Sequence, residues 1–246
     1  MQNITSIAAS RLIAQQRALD VTADNIANSG TPGYKAVRMQ FSDWLSHQQG
    51  AASPRGGATL AFTQDRATWR DFQPGPLNHT GNPLDLALTN SGYFTVSTPQ
   101  GPLLTRAGRF GLLADGTIAD GTGNALLNTN GQPIQLSPSD TQITVAGDGT
   151  LSSENGQIGK IGVVEVGDPM QLRAVGGDKL TSPSATTPVA APGLVQGSVE
   201  DSNVQPMLEM VRMMNDLREF QYVTQMVEAE NQRQQSAIDK LTQHTA

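Results

Sequence analysis

The C-terminal segment repeats side chains at seven-residue intervals, and this repeat limits the fold more than any other feature. The segment from Val204 to Gln243 has no Gly and, after Pro206, no Pro, so a helix there would be roughly 60 Å long at about 1.5 Å per residue. The two heptad phases a and d hold Met210, Leu217, Thr224, Asn231 and Ile238, and Met213, Phe220, Val227, Gln234 and Leu241. Such a stripe predicts a helix that is buried against another helix as a coiled coil.

The N-terminal segment from Ile4 to Ala27 also lacks Gly and Pro, and a weaker apolar stripe runs along it. Residues 1–40 carry four bases against two acids, whereas residues 200–246 carry eight acids against four bases. Opposite net charge favours pairing of the two helices. The alternative interpretation is two ordinary surface helices on a globular core, although polar Thr224, Asn231 and Gln234 at seam positions favour a shared interface.

The middle of the chain predicts an antiparallel β domain. Asp115-Gly116, Asp120-Gly121, Asn130-Gly131, Asp148-Gly149 and Asn155-Gly156 are dipeptides of the kind that reverse a strand. Segments rich in β-branched and alternating residues lie between them. We therefore expect an α+β fold, in which long N- and C-terminal helices pair as a coiled coil around an inserted antiparallel β domain. The predicted parts are a helical domain of residues 1–35 and 203–246, a junction and extended loop at 36–79, the β domain at 80–180 and a linker at 181–202.

Little in the sequence points to catalysis. The chain has no Cys, which excludes disulfides, thiolate metal sites and a cysteine nucleophile. His47, His79 and His244 lie far apart without the spacing of a metal site. A net charge of -6 without a basic cluster gives no footprint for DNA or RNA. We expect no enzyme activity, no cofactor, no metal, no small-molecule substrate, no nucleic-acid partner, no cleaved secretion signal and no membrane insertion.

Two short motifs flank the helices. In the first, we expect the N-terminal helix to end at Asn28 to Gly30 in a left-handed cap, and Pro32-Gly33 to form a type II turn with Gly33 at positive φ. Tyr34 would pack against this turn and Lys35 would stay exposed. In the second motif, Ser202 or Asn203 would N-cap the long helix, with Pro206 in its first turn.

These motifs resemble those of the bacterial flagellar axial proteins of rod and hook. The N-terminal signature Asn-x-x-Asn-x-x-Thr-x-Gly-aromatic-basic is matched by Asn25, Asn28, Thr31, Gly33, Tyr34 and Lys35. Its C-terminal counterpart is matched by Glu200, Ser202, Asn203 and Val204. The family's central β module is matched by Gly81, Asn82, Leu84, Asp85, Thr105 and Arg106.

The resemblance implies a structural subunit of the flagellar basal-body rod that assembles helically through its terminal helices. The short chain and the run from Phe62 to Trp69 indicate the proximal rod; the alternative is a distal-rod or hook paralogue. The implied partners are copies of the chain, other rod subunits and the flagellar type III export apparatus. The implied location is the part of the rod that spans the periplasm.

Two other classes remain as alternatives. A secreted glycan-cleaving β-domain enzyme would need two carboxylates about 5–10 Å apart across one cleft, and the sequence offers no such pair. An adhesin or β-solenoid would need a repeat of fixed period, whereas the turn dipeptides are spaced irregularly.

Overall fold

The structure of the protein is a computed structural model. It describes the backbone of residues 2–48 and 58–243, and the side chains of residues 8–40, 68–236 and 239–240. The chain divides into two compact units. We call residues 1–26, 37–69 and 205–246 the helical unit, and residues 27–36 and 70–204 the β unit.

The described part of the chain has a helix at each end and a series of short strands between them. The helices are α1 (Gln2–Ala27) and α2 (Pro206–Gln243), with a short 3-10 turn at Pro169–Gln171. The strands are β1 (Val37–Gln48), β2 (Ala58–Arg70), β3 (Leu77–His79), β4 (Leu86–Leu88), β5 (Tyr93–Thr98), β6 (Gly101–Thr105), β7 (Phe110–Leu112), β8 (Ile118–Asp120), β9 (Ala125–Leu126), β10 (Ile143–Val145), β11 (Thr150–Ser153), β12 (Gly156–Lys160), β13 (Val163–Val166), β14 (Arg173–Gly176), β15 (Lys179–Thr181), β16 (Thr186–Pro188), β17 (Leu194–Gln196) and β18 (Ser198–Glu200).

The β unit is built on a nine-stranded sheet. Its strand order is β14-β15-β6-β5-β9-β8-β7, and β13 joins it by pairing with β5 and with β16. Strands β10, β11 and β12 form a separate three-stranded sheet. Side chains of both sheets form one core, in which the rings of Phe94 and Phe110 meet edge to face with centroids 5.4 Å apart. Because β5 pairs antiparallel with β6, β9 and β13, it anchors this unit.

Two short pairs bring the returning chain beside the start of the β unit. Strand β17 pairs with β4 and β18 pairs with β3, so that Gln196 lies opposite Leu86 and Glu200 lies opposite Leu77. Residues 181–202, which we predicted to be a linker, therefore contain paired strands. Leu194 and Val199 are buried, and this burial is what holds the segment to the β unit.

Further differences from the predicted domains concern the junctions. Strands β1 and β2 pair with each other within residues 36–79, where we predicted a junction and an extended loop. Residues 27–35 and 203–204, which we placed with the helices, belong to the β unit. Their side chains are tied to β-unit residues by the hydrogen bonds described below.

The structure has the two helices and the β-rich domain, but the predicted coiled coil is wrong. At the predicted a positions of α2, Met210 and Leu217 are 48% and 43% exposed. The less exposed a-type positions lie one residue earlier, and with the d phase they form a stripe of Glu209, Met213, Asp216, Phe220, Val223, Val227, Glu230 and Gln234. The side chains of Ile238 and Leu241 lie outside the described residues.

The contacts between α1 and α2 explain why a coiled coil does not form. Gln15 Nε2 donates to Glu219 Oε2 at 3.2 Å, and the Arg11 guanidinium lies 3.7 Å from the same carboxylate. Three of the eight stripe positions carry carboxylates, Glu209, Asp216 and Glu230, and these are incompatible with apolar knobs packing into holes. The heptad spacing is therefore present in α2, but its facing side carries charge. None of the helices in the described part of the chain is both long and apolar enough to cross a membrane.

Candidate functional site

The chain leaves α1 through a tight turn that Gly33 closes. Thr31 N donates to Asn28 O, and Tyr34 N donates to Thr31 O at 3.2 Å, which makes residues 31–34 a hydrogen-bonded turn. Gly33 has φ +71°, as the type II turn requires at this position. The left-handed cap that we predicted at Asn28 to Gly30 is wrong, because the described positive-φ residues are glycines and do not include Gly30.

Gly33 also lies against a neighbouring backbone in the β unit. Its N–H donates to Glu200 O at 2.7 Å. A Cβ on Gly33 would lie 2.3 Å from the carbonyl carbon of Arg106 and 2.4 Å from Ala107 N. The position therefore excludes any side chain for two separate reasons, the sign of φ and the lack of space.

The next residue, Lys35, enters a buried cluster centred on the Glu200 carboxylate. Lys35 Nζ donates to Glu200 Oε1 and, at 2.9 Å, to Gln73 O. Arg106 Nη1 donates to Glu200 Oε2 at 2.9 Å, and Gly75 N donates to Oε1 at 3.0 Å. The Glu200 side chain is 1% exposed and that of Lys35 is 4% exposed. Our prediction that Lys35 is exposed is wrong, because a buried carboxylate draws its ammonium group inward.

The cluster places two cations around one anion in the interior of the β unit. Burial lowers the pKa of Lys35 from 10.5, although its hydrogen bond and ion pair with Glu200 work in the opposite direction. Both oxygens of Glu200 accept hydrogen bonds, which is the condition under which a buried carboxylate is tolerated. Arg106 Nη2 also donates to Asn90 O at 2.9 Å, and its guanidinium lies 5.5 Å from the Tyr93 ring centroid. The cluster thus joins four distant parts of the chain, at residues 35, 73–75, 106 and 200.

Asn203 makes a second connection between the same segments. Its Oδ1 accepts from Ala36 N at 2.8 Å, and its Nδ2 donates to Asp71 O at 2.8 Å and to Gln73 O at 3.1 Å. Tyr34, Ala36 and Val204 form a small apolar cluster. Ser202 Oγ accepts from Val204 N at 3.2 Å. Neither Ser202 nor Asn203 makes a described bond to the first turn of α2, which begins at Pro206, so the predicted N-cap is wrong.

The other two signature asparagines act locally. Asn25, at the end of α1, exchanges two hydrogen bonds with the backbone of Val37, each 2.9 Å long, and is 1% exposed. Asn28 Oδ1 accepts from Thr31 Oγ1 at 3.4 Å. Asn25 therefore belongs to the helical unit and is separate from the Glu200 cluster.

The β-module residues form turns within the β unit. Asp85 accepts from Thr80 Oγ1 at 2.6 Å and from Asn82 Nδ2 at 3.0 Å, which fixes the turn around Gly81. Leu84 packs against the core. Thr105 Oγ1 donates to Asp178 Oδ2 at 2.8 Å and accepts from Ala107 N. Of this group, only Arg106 contacts the Glu200 cluster.

In the helical unit, the inward stripe of α2 includes carboxylates, and large apolar side chains are exposed on the opposite side of the helix. Glu209 is 1% exposed, and its Oε1 accepts from Arg38 at 2.6 Å and from Arg212 at 2.7 Å. Burial, together with the charges of Glu219 and Glu209, raises the pKa of Asp216 against the effect of Arg212. The opposite side of the helix exposes Met207, Leu208, Met210, Val211, Met214, Leu217, Tyr222 and Met226. We call these eight residues the outer face of α2.

Exposed apolar residues scattered singly are ordinary, but four members of the outer face are contiguous. Met207, Met210, Met214 and Leu217 follow at steps of three, four and three residues, so they lie side by side along the helix. Their exposed fractions run from 43% to 76%. A contiguous apolar surface of this kind is typical of surfaces that contact other proteins.

Sequence reasoning missed several members of these clusters. The backbone groups of Gln73 and Gly75 have no sequence signal, because any residue supplies a carbonyl or an N–H. Arg38 and Glu209 carried no motif, and their pairing depends on how α1, β1 and α2 meet. Within the residues whose side chains are described, no group of three or more His, Asp or Glu residues could hold a metal ion. His47 and His244 lie outside those residues, and His79 Nδ1 lies 3.3 Å from Ser198 Oγ.

Comparisons with known proteins match most of this chain. Three family descriptions match in chain order: Flagella basal body rod protein at residues 6–35, Flagellar hook protein FlgE/F/G D1 domain at 87–153, and Flagellar basal body rod FlgEFG protein C-terminal at 195–240. The flagellar basal-body rod protein FlgF of Mesorhizobium japonicum is 32% identical over 224 residues, which is 90% of each chain. The chain belongs to the flagellar basal-body rod protein family.

Other relatives extend the match within the rod family. The FlgF protein of Caulobacter vibrioides is 31% identical over 98% of each chain. The FlgG protein of Bacillus subtilis is 31% identical over 84% of this chain and 86% of its own. The first family match ends at Lys35 and the third begins at residue 195, so these two matches include Lys35 and Glu200 of the cluster.

We predict that Glu200→Gln destabilises the β unit by about 3–5 kcal/mol, because removing one charge of a buried ion pair leaves Lys35 and Arg106 without their partner. The free energy of opening is measured by native-state hydrogen exchange at the amides of β5. Asp201→Asn, which neutralises a partly exposed carboxylate at the next position, is the control and should change it by less than about 0.5 kcal/mol. Equal changes in the free energy of opening for the two variants would show that the buried charges do not stabilise the β unit.

A second pair of variants separates the two constraints on Gly33. Gly81 has φ +76°, close to that of Gly33, but a Cβ there would meet nothing within 4 Å. Gly81→Ala should therefore cost about 1–2 kcal/mol from backbone strain alone. Gly33→Ala should cost about 1–3 kcal/mol more, because its methyl group overlaps the Arg106 backbone. Urea unfolding of the two variants measures the difference, and equal costs would contradict the close approach at Gly33.

Proposed function

We propose that the chain is a structural subunit of the proximal part of the flagellar basal-body rod, where its function is to form part of a hollow shaft that transmits torque. The observation that carries this proposal is the outer face of α2. Eight large apolar side chains that stay exposed to water contribute no free energy of burial to the protein. Membership of the rod family and a surface suited to contact with neighbouring subunits support the same conclusion.

The physical basis of assembly would be burial of the outer face by neighbouring subunits. Fully burying one Leu, Val or Met side chain is worth roughly 1.5–3 kcal/mol, so the eight residues together offer a large driving force. A helical assembly repeats the contact at every subunit, and rigidity would come from many copies of one modest interface. The partners on this account are copies of the chain and other rod subunits.

The β unit would supply the stiff part of the subunit. Its core is apolar and its buried carboxylate Glu200 is held by two cations and a backbone N–H. The other carboxylate that is fully buried in the described residues, Glu209, accepts from two arginines. Since both acids are engaged in structural ion pairs, the described residues support a structural function better than an enzymatic one.

We also propose that the subunit reaches the rod by flagellar type III export and lies in the section that crosses the periplasm. Such export passes an unfolded chain, and the absence of cysteine means that folding afterwards needs no disulfide chemistry. The helical unit suits late folding, because an isolated helix with its apolar side in water gains little stability before that side is covered. Completion of α2 would then be coupled to assembly.

We predict that replacing Met210, Met214 and Leu217 together by Glu abolishes swimming, because the outer face would carry three charges that cannot be buried without partners. Motility is scored on soft agar after the variant replaces the native chain, and purified basal bodies are imaged for rods. Gln100→Glu with Gln132→Glu and Gln157→Glu adds the same charge at exposed polar positions of the β unit and should leave swimming intact. Normal rods in the outer-face variant would refute the proposed contact surface.

A further inference from the structure

The sulfur atoms of this protein are concentrated on one helix. The chain has eight methionines and no cysteine, and five of the methionines, at positions 207, 210, 213, 214 and 226, belong to α2. Four of these are strongly exposed: Met207 at 76%, Met210 at 48%, Met214 at 55% and Met226 at 56%. Met213 is partly buried because it belongs to the inward stripe. Four of the five strongly exposed methionines among the described side chains therefore lie on the outer face of α2, and the fifth is Met170 of the β unit.

The helix holds three of these thioethers next to one another. Met207, Met210 and Met214 are separated by three and four residues, so their side chains lie on one side of α2 within about two turns. The two charged residues between them in sequence are Glu209, which is buried, and Arg212, which donates to Glu209. Oxidation would therefore act on one apolar patch.

We propose that the outer face of α2 is a site of reversible methionine oxidation that inactivates it as a contact surface. Each thioether sulfur gives two electrons to a peroxide, one peroxide oxygen is transferred to sulfur as the sulfoxide, and the other leaves as water. Methionine sulfoxide reductases return the thioether at the expense of a dithiol. The product is a polar and chiral side chain, so each event places a strong hydrogen-bond acceptor in the middle of the apolar patch.

The effect on assembly rests on the proposed function, because it assumes that the outer face is buried between subunits. A sulfoxide in a buried interface without a donor costs free energy as any unpaired polar group does. Three sulfoxides on one patch would oppose the same contact in every subunit of a helical assembly. The position of the oxidation itself depends only on the exposure of the sulfur atoms.

The first test uses the full-length purified chain and hydrogen peroxide, with sulfoxide formation at each methionine followed by peptide mass spectrometry. Met207, Met210 and Met214 should oxidise several-fold faster than Met213. Met170, which is 63% exposed in the β unit, serves as an internal reference and should react at a rate close to that of the outer face. Treatment with the two sulfoxide reductases should return the original masses. Oxidation of Met213 as fast as its neighbours would overturn the proposal.

The second test measures the consequence in motile cells that carry only the variant chain. Glutamine resembles methionine sulfoxide in size and polarity, so Met207→Gln, Met210→Gln and Met214→Gln combined should stop swimming. The same three positions changed to Leu should swim, and Met170→Gln, a sulfoxide mimic on an exposed methionine of the β unit, should also swim. A swimming triple Gln variant would overturn the proposal. If the triple Glu variant described above also swims, the proposed function falls with it; if only the Gln variant swims, the proposed function stands.

Discussion

The carboxylate of Glu200 is the interaction on which the β unit depends. It lies at the end of β18, almost fully buried, and it is satisfied only when Lys35 arrives from the segment after α1 and Arg106 from the end of β6. A buried ionised carboxylate without partners costs several kcal/mol, so a fold that misplaces either cation is penalised. Gly33 belongs to the same constraint, because its missing side chain lets the incoming segment lie against the Arg106 backbone. Residues from distant parts of the sequence are thereby fixed in one arrangement.

The two units handle apolar surface in opposite ways. The β unit encloses it: Phe94, Leu126 and Leu151 are buried completely or nearly so. The helical unit presents it outward, with Glu209 inside and the outer face of α2 in solvent. The monomer therefore buries its apolar side chains in the β unit and leaves large apolar side chains of α2 exposed to solvent. In the proposed assembly, the β unit is the rigid element and the outer face of α2 is the element that contacts neighbouring subunits.

The sequence predicts helices, strands and turns well, but it predicts poorly which side of a helix is buried. Uninterrupted helical segments at both ends and turn dipeptides in the middle are local signals, and both appear in the structure as α1, α2 and short strands. The positive φ of Gly33 is also local. The heptad phase of α2 is not a local signal. A shift of one residue brings Glu209 and Asp216 inward in place of Met210 and Leu217. Which residues of α2 face inward depends on Arg38, whose position is set by the tertiary structure. The burial of Lys35 could not be predicted either, because its partner Glu200 is distant in the sequence.

The most direct test of the account is hydrogen exchange by mass spectrometry on the free monomer and on assembled rods. We expect protected amides in β5 and β6 in both states, and fast exchange in residues 206–226 of the monomer that becomes slow in the rod. Slow exchange throughout α2 in the monomer, with no change on assembly, would contradict it, since the outer face would then belong to a self-contained protein.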